Sequence, residues 1–250
     1  MAGHLVLAVR FLTIVPVPGR ELIGAGSLGR AAWWFPPVGL ALGACLVAAD
    51  RLFASVFPPL LSSILLVSLW KILTGGIHLD GLADVLDGLA GRDAEQRLTI
   101  MRDRRIGVFG AAGLVICILI AFAALDALPA GRRPAVLLLA PAVGRLGPLL
   151  IGPLFPAATP GHGSGASFLE GLSPRAAPVS IAGLWILAAL LFGPWGGLLL
   201  SLALASVLLW AVFLASRFGG LTGDVLGSSV ELGELATLVT VVALIHLRVL

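Results

Sequence analysis

Apolar runs of about 18 to 22 residues recur along this chain, each long enough to cross the hydrocarbon core of a bilayer as an α-helix. Weak ten-residue alternations of the outer-membrane barrel type are not what the sequence shows, so a barrel is excluded. Hydrophobic residues make up 59%, charged residues 12%, and mean hydropathy is +1.08, values that the surface of a soluble domain of this length could not carry. The fold class that follows is all-α: one polytopic membrane helix bundle, a single domain over residues 1–250. Seven spans are expected, at 31–49, 56–74, 108–128, 134–151, 178–192, 196–216 and 232–249. Residues 4–18 are interrupted by Arg10 and closed by Pro16-Val17-Pro18, which predicts a half-length or interfacial helix belonging to the mature chain. Trp33 and Trp34 stand as interfacial anchors at the head of the first span, and Pro36-Pro37 bend its first turns.

Charge orients these spans. Of 16 basic residues 15 are arginines spread among loops, so a pI near 9.6 fits topology and anionic headgroups better than nucleic acid. With the N-terminal arm cytoplasmic, the inner side holds Arg10, Arg20, Arg30, Arg92, Arg97, Arg102, Arg104, Arg105, Arg175 and Arg217. The outer side holds Arg51, Arg132, Arg133 and Arg248, and this imbalance favours the N-terminus inside. Three unusual segments then share the cytoplasmic face: a charge-rich stretch at about 75–107, Pro160-Gly161-His162-Gly163-Ser164-Gly165, and Arg217-Phe218-Gly219-Gly220-Leu221-Thr222-Gly223-Asp224. Cys45 and Cys117 lie in apolar runs and read as small buried thiols, with no disulfide or zinc framework.

The stretch from Gly75 to Gly88 concentrates the carboxylates. Only 13 of 250 residues are acidic, yet Asp80, Asp84 and Asp87 fall within eight positions. As a helix at about 100° per residue, the three lie within roughly 60° of one another, with Leu79, Leu82, Leu86 and Leu89 behind them. An ordinary solvated acidic face is the bland explanation; the scarcity of acids and the interleaved leucines argue against it. Like charges at these spacings repel, so a cation belongs there, and hard oxygen donors point to Mg²⁺ or Mn²⁺. A divalent cation on aspartates at a membrane surface is what handling a diphosphate requires. Arg102, Arg105 and Arg217 offer guanidinium forks to phosphate oxygens, although each also reads as positive-inside loop charge. Gly219, Gly220, Thr222 and Gly223 form a segment that either brings backbone N–H groups to a phosphate or simply turns between helices.

Other candidates carry competing readings. Asp103 relieves repulsion among its arginine neighbours or reaches a metal, and Asp224, Glu231 and Glu234 extend the metal site unless the two glutamates instead cap and face the start of the last helix. His78 is a base, a metal ligand or a structural histidine, and His162 sits in a glycine-rich, ligand-facing loop. Arg145 lies inside a span between Gly144 and Gly147, where an intramembrane charge marks a functional site or else snorkels to an interface.

Several blocks together resemble the cobalamin-5'-phosphate synthase, or adenosylcobinamide-GDP ribazoletransferase, family. They are Phe11-Leu12-Thr13 with Pro16-Val17-Pro18, Phe35-Pro36-Pro37-Val38-Gly39, the run over 74–88, Ile100-Met101-Arg102-Asp103 with Arg105-Ile106-Gly107, and 217–227 with Glu231 and Glu234. The resemblance implies a Mg²⁺-dependent transferase of the cytoplasmic (inner) membrane, active site facing the cytoplasm, working late in cobalamin biosynthesis. It would join adenosylcobinamide-GDP to α-ribazole or its 5'-phosphate and release GMP. By position, Asp80, Asp84 and Asp87 match the family's metal and diphosphate ligands, with Asp103 and Asp224 as further acidic candidates. Arg104 and Val85-Leu86 depart from the family's more polar choices, which touches substrate positioning rather than the reaction class. The implied partners are the two substrates and the bilayer; a homo-oligomer or contact with other cobalamin-assembly enzymes stays open.

Two alternatives compete. CDP-alcohol phosphatidyltransferases also space aspartates along a membrane helix, but Ala83 stands here where their arginine would be. An ion transporter would place its carboxylates near the bilayer midplane within internal repeats, and neither is visible.

Overall fold

The computed structural model describes residues 2–19 and 24–250; Arg20 and Glu21, read above within a polar segment, lie outside them. The described residues are mostly helical: α1 (Ala2–Leu12), α2 (Ser27–Ala31), α3 (Phe35–Val56), α4 (Pro59–Leu73), α5 (Ile77–Gly88) and α6 (Ala94–Met101) form the first half. The second half is α7 (Val108–Ala127), α8 (Arg133–Ile151), α9 (Gly163–Gly171), α10 (Ala176–Phe192), α11 (Trp195–Phe218) and α12 (Gly223–His246). Among the described residues five helical segments are long and apolar enough to span a membrane: Ser27–Val56, α7, Arg133–Leu154, α11 and α12. Counting α4 with α5 and α9 with α10 brings the number to seven, the two pairs being bent by 88° and 85°. The expected seven spans are thus matched in number, with α4 and α10 as the short crossing arms of the bent pairs and α5 and α9 as the arms turned across the bundle's end, and α1 is the expected half-length helix.

Burial identifies the centre. The spanning window of α8 is 83% buried against 28% for α7, so α8 is the axis and α7 lines the periphery. Small residues set this order, because apolar side chains gain little by leaving lipid, and close backbone approach supplies the packing instead. A Cβ on Gly39 or Gly43 of α3 would come within 2.6 Å of α8 backbone atoms. On the other flank Gly144 of α8 meets Val230 and Glu234 of α12, and Gly147 meets Ser229. Ile116, Leu119, Leu190 and Leu209 point outward, as lipid-facing positions should. Cys117 is buried, but Cys45 is exposed on the outer face of α3, contrary to expectation: α3 turns its glycine edge, not this thiol, toward α8.

The two ends of the bundle differ. At one end Arg133, counted above as loop charge, is the first residue of α8 and donates to the Asp50 carboxylate of α3 at 2.6 Å, to Ser63 of α4 and to the Leu125 carbonyl of α7. Four helices are fastened there by one guanidinium. The opposite end gathers α5, α6 and α9 together with the 156–158 and 219–222 segments, which pair through the Leu221 N–H to the Pro156 carbonyl and the Ala158 N–H to the Leu221 carbonyl. The three segments that the sequence placed on one face do converge.

The last span also starts earlier than expected, at Gly223 rather than 232. Thr222 caps it, its hydroxyl accepting the Val225 N–H at 3.1 Å. Ser228, Ser229, Glu231 and Glu234, which lower the hydropathy of this stretch, are buried against other helices.

Candidate active site

Gly75 and Gly76 both adopt positive φ, 63° and 69°, a conformation strained for any side chain, and they turn the chain through the 88° between α4 and α5. α5 therefore lies across the end of the bundle, outside the spans. One edge of it packs on α12 at Gly81, where a Cβ would sit 3.0 Å from the Asp224 carbonyl oxygen. The other edge packs on Gly107, Gly110 and Gly113 at the start of α7, each of which leaves room for Asp87 or Leu86.

The face between these contacts carries the acids. Asp80 is exposed, Asp84 and Asp87 are half-buried, and Asp224 in the first turn of α12 joins them from across Gly81. Burial, then the Asp224, Asp80 and Asp87 charges, push the Asp84 carboxyl up to about 6. Among the described residues no lysine or arginine is ion-paired with any of the four. Two helix N-termini, those of α7 and α12, bring positive potential to this face. Asp87 uses the first: its Oδ2 accepts the Gly107 N–H at 2.7 Å and its Oδ1 the Gly110 N–H at 2.8 Å. The acids thus share a face, but among the described residues no three His, Cys, Asp or Glu side chains stand close enough around one point to hold a metal as they are.

Two spaces flank this face. A groove of about 150 Å³ is lined by Arg102, Thr159, His162, Thr222 and Asp224, with Leu98 and Met101 of α6 at its floor. A cavity of about 230 Å³ is lined by Phe11, Phe35 and Phe168, by Leu226 and Val230 of α12, and by His78 and Asp80. Ser164, Gly223 and Asp224 border both, so the start of α12 is the partition between a polar and an apolar compartment.

Other candidates are placed elsewhere. Asp103 pairs with Arg105 at 2.7 Å in the exposed turn after α6, and that contact drives the Asp103 carboxyl down to about 2. Arg217, on the last turn of α11, lies 5.3 Å from the Phe213 ring, while its carbonyl accepts from Arg97. Gly219 is the left-handed cap of α11, and Gly220 packs against the Pro156 carbonyl, so both serve the turn. Arg145 is fully buried and lines neither space; it pairs with Glu234 and donates to the Pro141 carbonyl.

That pair belongs to a network the sequence did not disclose. Lys71 bonds Glu231 and Glu234, the latter at 2.8 Å, and Trp70 Nε1 donates to Glu234 at 3.2 Å. Two cations and two carboxylates balance inside the bundle, so Glu231 and Glu234 are spent on packing α12 to α4 and α8 rather than on extending the acidic face. The signal available beforehand was that Lys71 is the only lysine and that Glu231 and Glu234 sit one turn apart in an otherwise apolar stretch.

Fold and site together define a polytopic membrane protein with an acidic, helix-terminated site at one end of the bundle. The chain belongs to the cobalamin-5-phosphate synthase family, whose profile matches residues 4–242. It is 41% identical over 246 residues to a protein of Pseudomonas paraeruginosa, covering 94% of this chain and 96% of that one, which carries the name adenosylcobinamide-GDP ribazoletransferase. Proteins of the same name from Stutzerimonas stutzeri and Chlorobium phaeobacteroides are each 38% identical, over 94% and 92% of this chain and 96% and 93% of their own lengths. No solved structure matches the chain.

Proposed function

We propose that this chain is a membrane-embedded transferase that joins adenosylcobinamide-GDP to α-ribazole, or to its 5'-phosphate, and releases GMP. Family membership supports the reaction, and the observation that carries it is Asp224 at the N-terminus of α12, which borders both spaces, with Asp80 on the wall of the more apolar one and Asp84 coupled to both by charge.

In the reaction the acceptor's ribose oxygen forms a bond to the phosphorus bearing cobinamide, the bridging P–O bond to GMP breaks, and the hydroxyl proton is released. Arg102 and His162 in the groove, with the positive end of α12, hold the anionic diphosphate from the departing side. Asp87 fixes α7 to α5 and so sets where Asp84 stands. Asp80, Asp84 and Asp224 are hard oxygen donors whose mutual repulsion suits Mg²⁺, with Mn²⁺ as a substitute, and they are the residues that would hold it once their side chains are drawn closer than they now stand. When bound, the cation would neutralise charge on the transferred and leaving oxygens. The arginine imbalance supports an inner-membrane protein with this end toward the cytoplasm.

Purified protein, stripped of metal and supplied with both substrates, should release GMP on addition of Mg²⁺, should not do so with CDP-diacylglycerol, and should be indifferent to membrane potential. Asp84→Ala should abolish turnover. Absence of GMP release from folded wild-type protein with both substrates and metal would sink the reading.

A further inference from the structure

The apolar cavity beside the acidic face is built around an aromatic stack. Phe11 and Phe35 lie nearly parallel with centroids 6.0 Å apart, and Phe35 and Phe168 are tilted by 31° at 5.8 Å. Leu12, Leu226, Val230 and Pro148 close the remaining sides. Apolar cavities of roughly 150 Å³ admit benzene, so about 230 Å³ admits a two-ring aromatic system. One polar feature is unexplained: His78 is 3% exposed, lines this cavity, and its Nδ1 has no hydrogen-bond partner among the described residues. Buried polar atoms of that kind are costly unless something pairs with them.

We propose that this cavity receives the benzimidazole base of the ribazole acceptor, with the His78 imidazole on its wall turning the shielded Nδ1 to the ring nitrogen that carries no ribose. The inference rests on the transferase reading above and adds the acceptor's subsite. A benzimidazole edge presents a single free polar atom, and inside the rim formed by the exposed Asp80 and Ser164, His78 Nδ1 is the one buried polar side-chain atom of the lining without a partner among the described residues. Guanine seated inside the rim would bring several donors and acceptors to a wall of phenylalanines, leucines and one histidine, and a corrin macrocycle is too large for the space. The cavity opens past Asp80, Ser164 and Asp224, so a base seated among the phenylalanines directs its ribose hydroxyl toward the acidic face where phosphorus is attacked.

The test is steady-state GMP release with three acceptors: α-ribazole, its analogue lacking the two ring methyls, and an indole α-riboside in which the free ring nitrogen is carbon. Phe168→Trp narrows the cavity and should raise the KM for α-ribazole about tenfold more than that for the desmethyl analogue, since methylene-sized differences in an apolar pocket discriminate on that order. The KM for adenosylcobinamide-GDP should not move. His78→Leu should raise the KM for α-ribazole and leave that for the indole riboside unchanged. Leu28→Trp, at a half-buried position on the rim, repeats the first comparison if Phe168→Trp does not fold. Equal KM changes for all three acceptors, or a change confined to the cobinamide substrate, overturns the proposal. If wild-type protein turns over no acceptor, the transferase reading fails first and this subsite with it.

Discussion

Gly81 of α5 and Asp224 of α12 meet backbone to backbone: a Cβ on Gly81 would lie 3.0 Å from the Asp224 carbonyl oxygen and 3.1 Å from its Cα. No flexible side chain is there to give way, so Gly81→Ala must separate the two helices by a few tenths of an ångström. That gap is the one across which Asp80 and Asp84 face Asp224. The substitution should lower kcat at least tenfold while costing only about 1–2 kcal/mol of stability, the usual scale of modest overpacking. Turnover and thermal melting in detergent, measured on the same preparation, check it; a drop in melting without a drop in turnover contradicts it.

Asp84 and Asp87 are one turn apart yet should respond oppositely. Asp87 occupies both oxygens with α7 amides, so Asp87→Ala removes a helix cap and should cost about 1–2 kcal/mol as well as activity. Asp84 is surrounded by carboxylates and has no ion-pair partner, so Asp84→Asn should abolish activity while leaving metal-free stability unchanged or raised. Melting curves of the two variants in chelator separate these outcomes.

This division of labour marks what a sequence can and cannot carry. The aspartate spacing announced a one-sided acidic helix because helical periodicity is local, and α5 has that face. Asp87's true partners are backbone amides 20 and 23 residues away, and backbone groups leave no trace in side-chain identity. The start of α12 was misread for a related reason. Gly223, Asp224, Ser228, Ser229 and Glu231 look like a polar loop until α4, α5 and α8 are set against them. Lys71 finds Glu231 and Glu234 across 160 and 163 positions, a pairing fixed only by how three helices pack.

Within that packed network the balance of charge is the point. Lys71→Met leaves Glu231 and Glu234 facing Arg145 alone, and stranding a buried charge costs about 3–5 kcal/mol. Far less folded protein should survive extraction and size-exclusion chromatography. Lys71→Met with Glu231→Gln removes one charge of each sign and keeps the Arg145–Glu234 pair, so it should recover much of that loss. A double variant no better than Lys71→Met alone would show that the lysine acts through shape rather than charge.

Asp84 also fixes a pH signature. Its carboxyl is pushed up to about 6 in the folded chain, whereas an unfolded aspartate titrates near about 4. Between those values the folded state holds the extra proton, so in chelator the Asp84 contribution to stability is greatest below the window, declines as pH rises through it, and levels off above. Burial holds the His78 imidazole below its usual range, which works in the opposite direction in both proteins, so the Asp84 contribution is read as a difference: the melting temperature of Asp84→Asn should exceed that of wild type by more at pH 7 than at pH 4.5. Mg²⁺ must displace that proton to use the carboxylate, so the stabilisation it confers should grow over the same interval as pH rises through about 6. Metal-dependent shifts in melting temperature, recorded across this range for both proteins, test the two halves together. A Mg²⁺ increment that is equal at pH 5 and pH 7.5 would place the cation on groups other than Asp84.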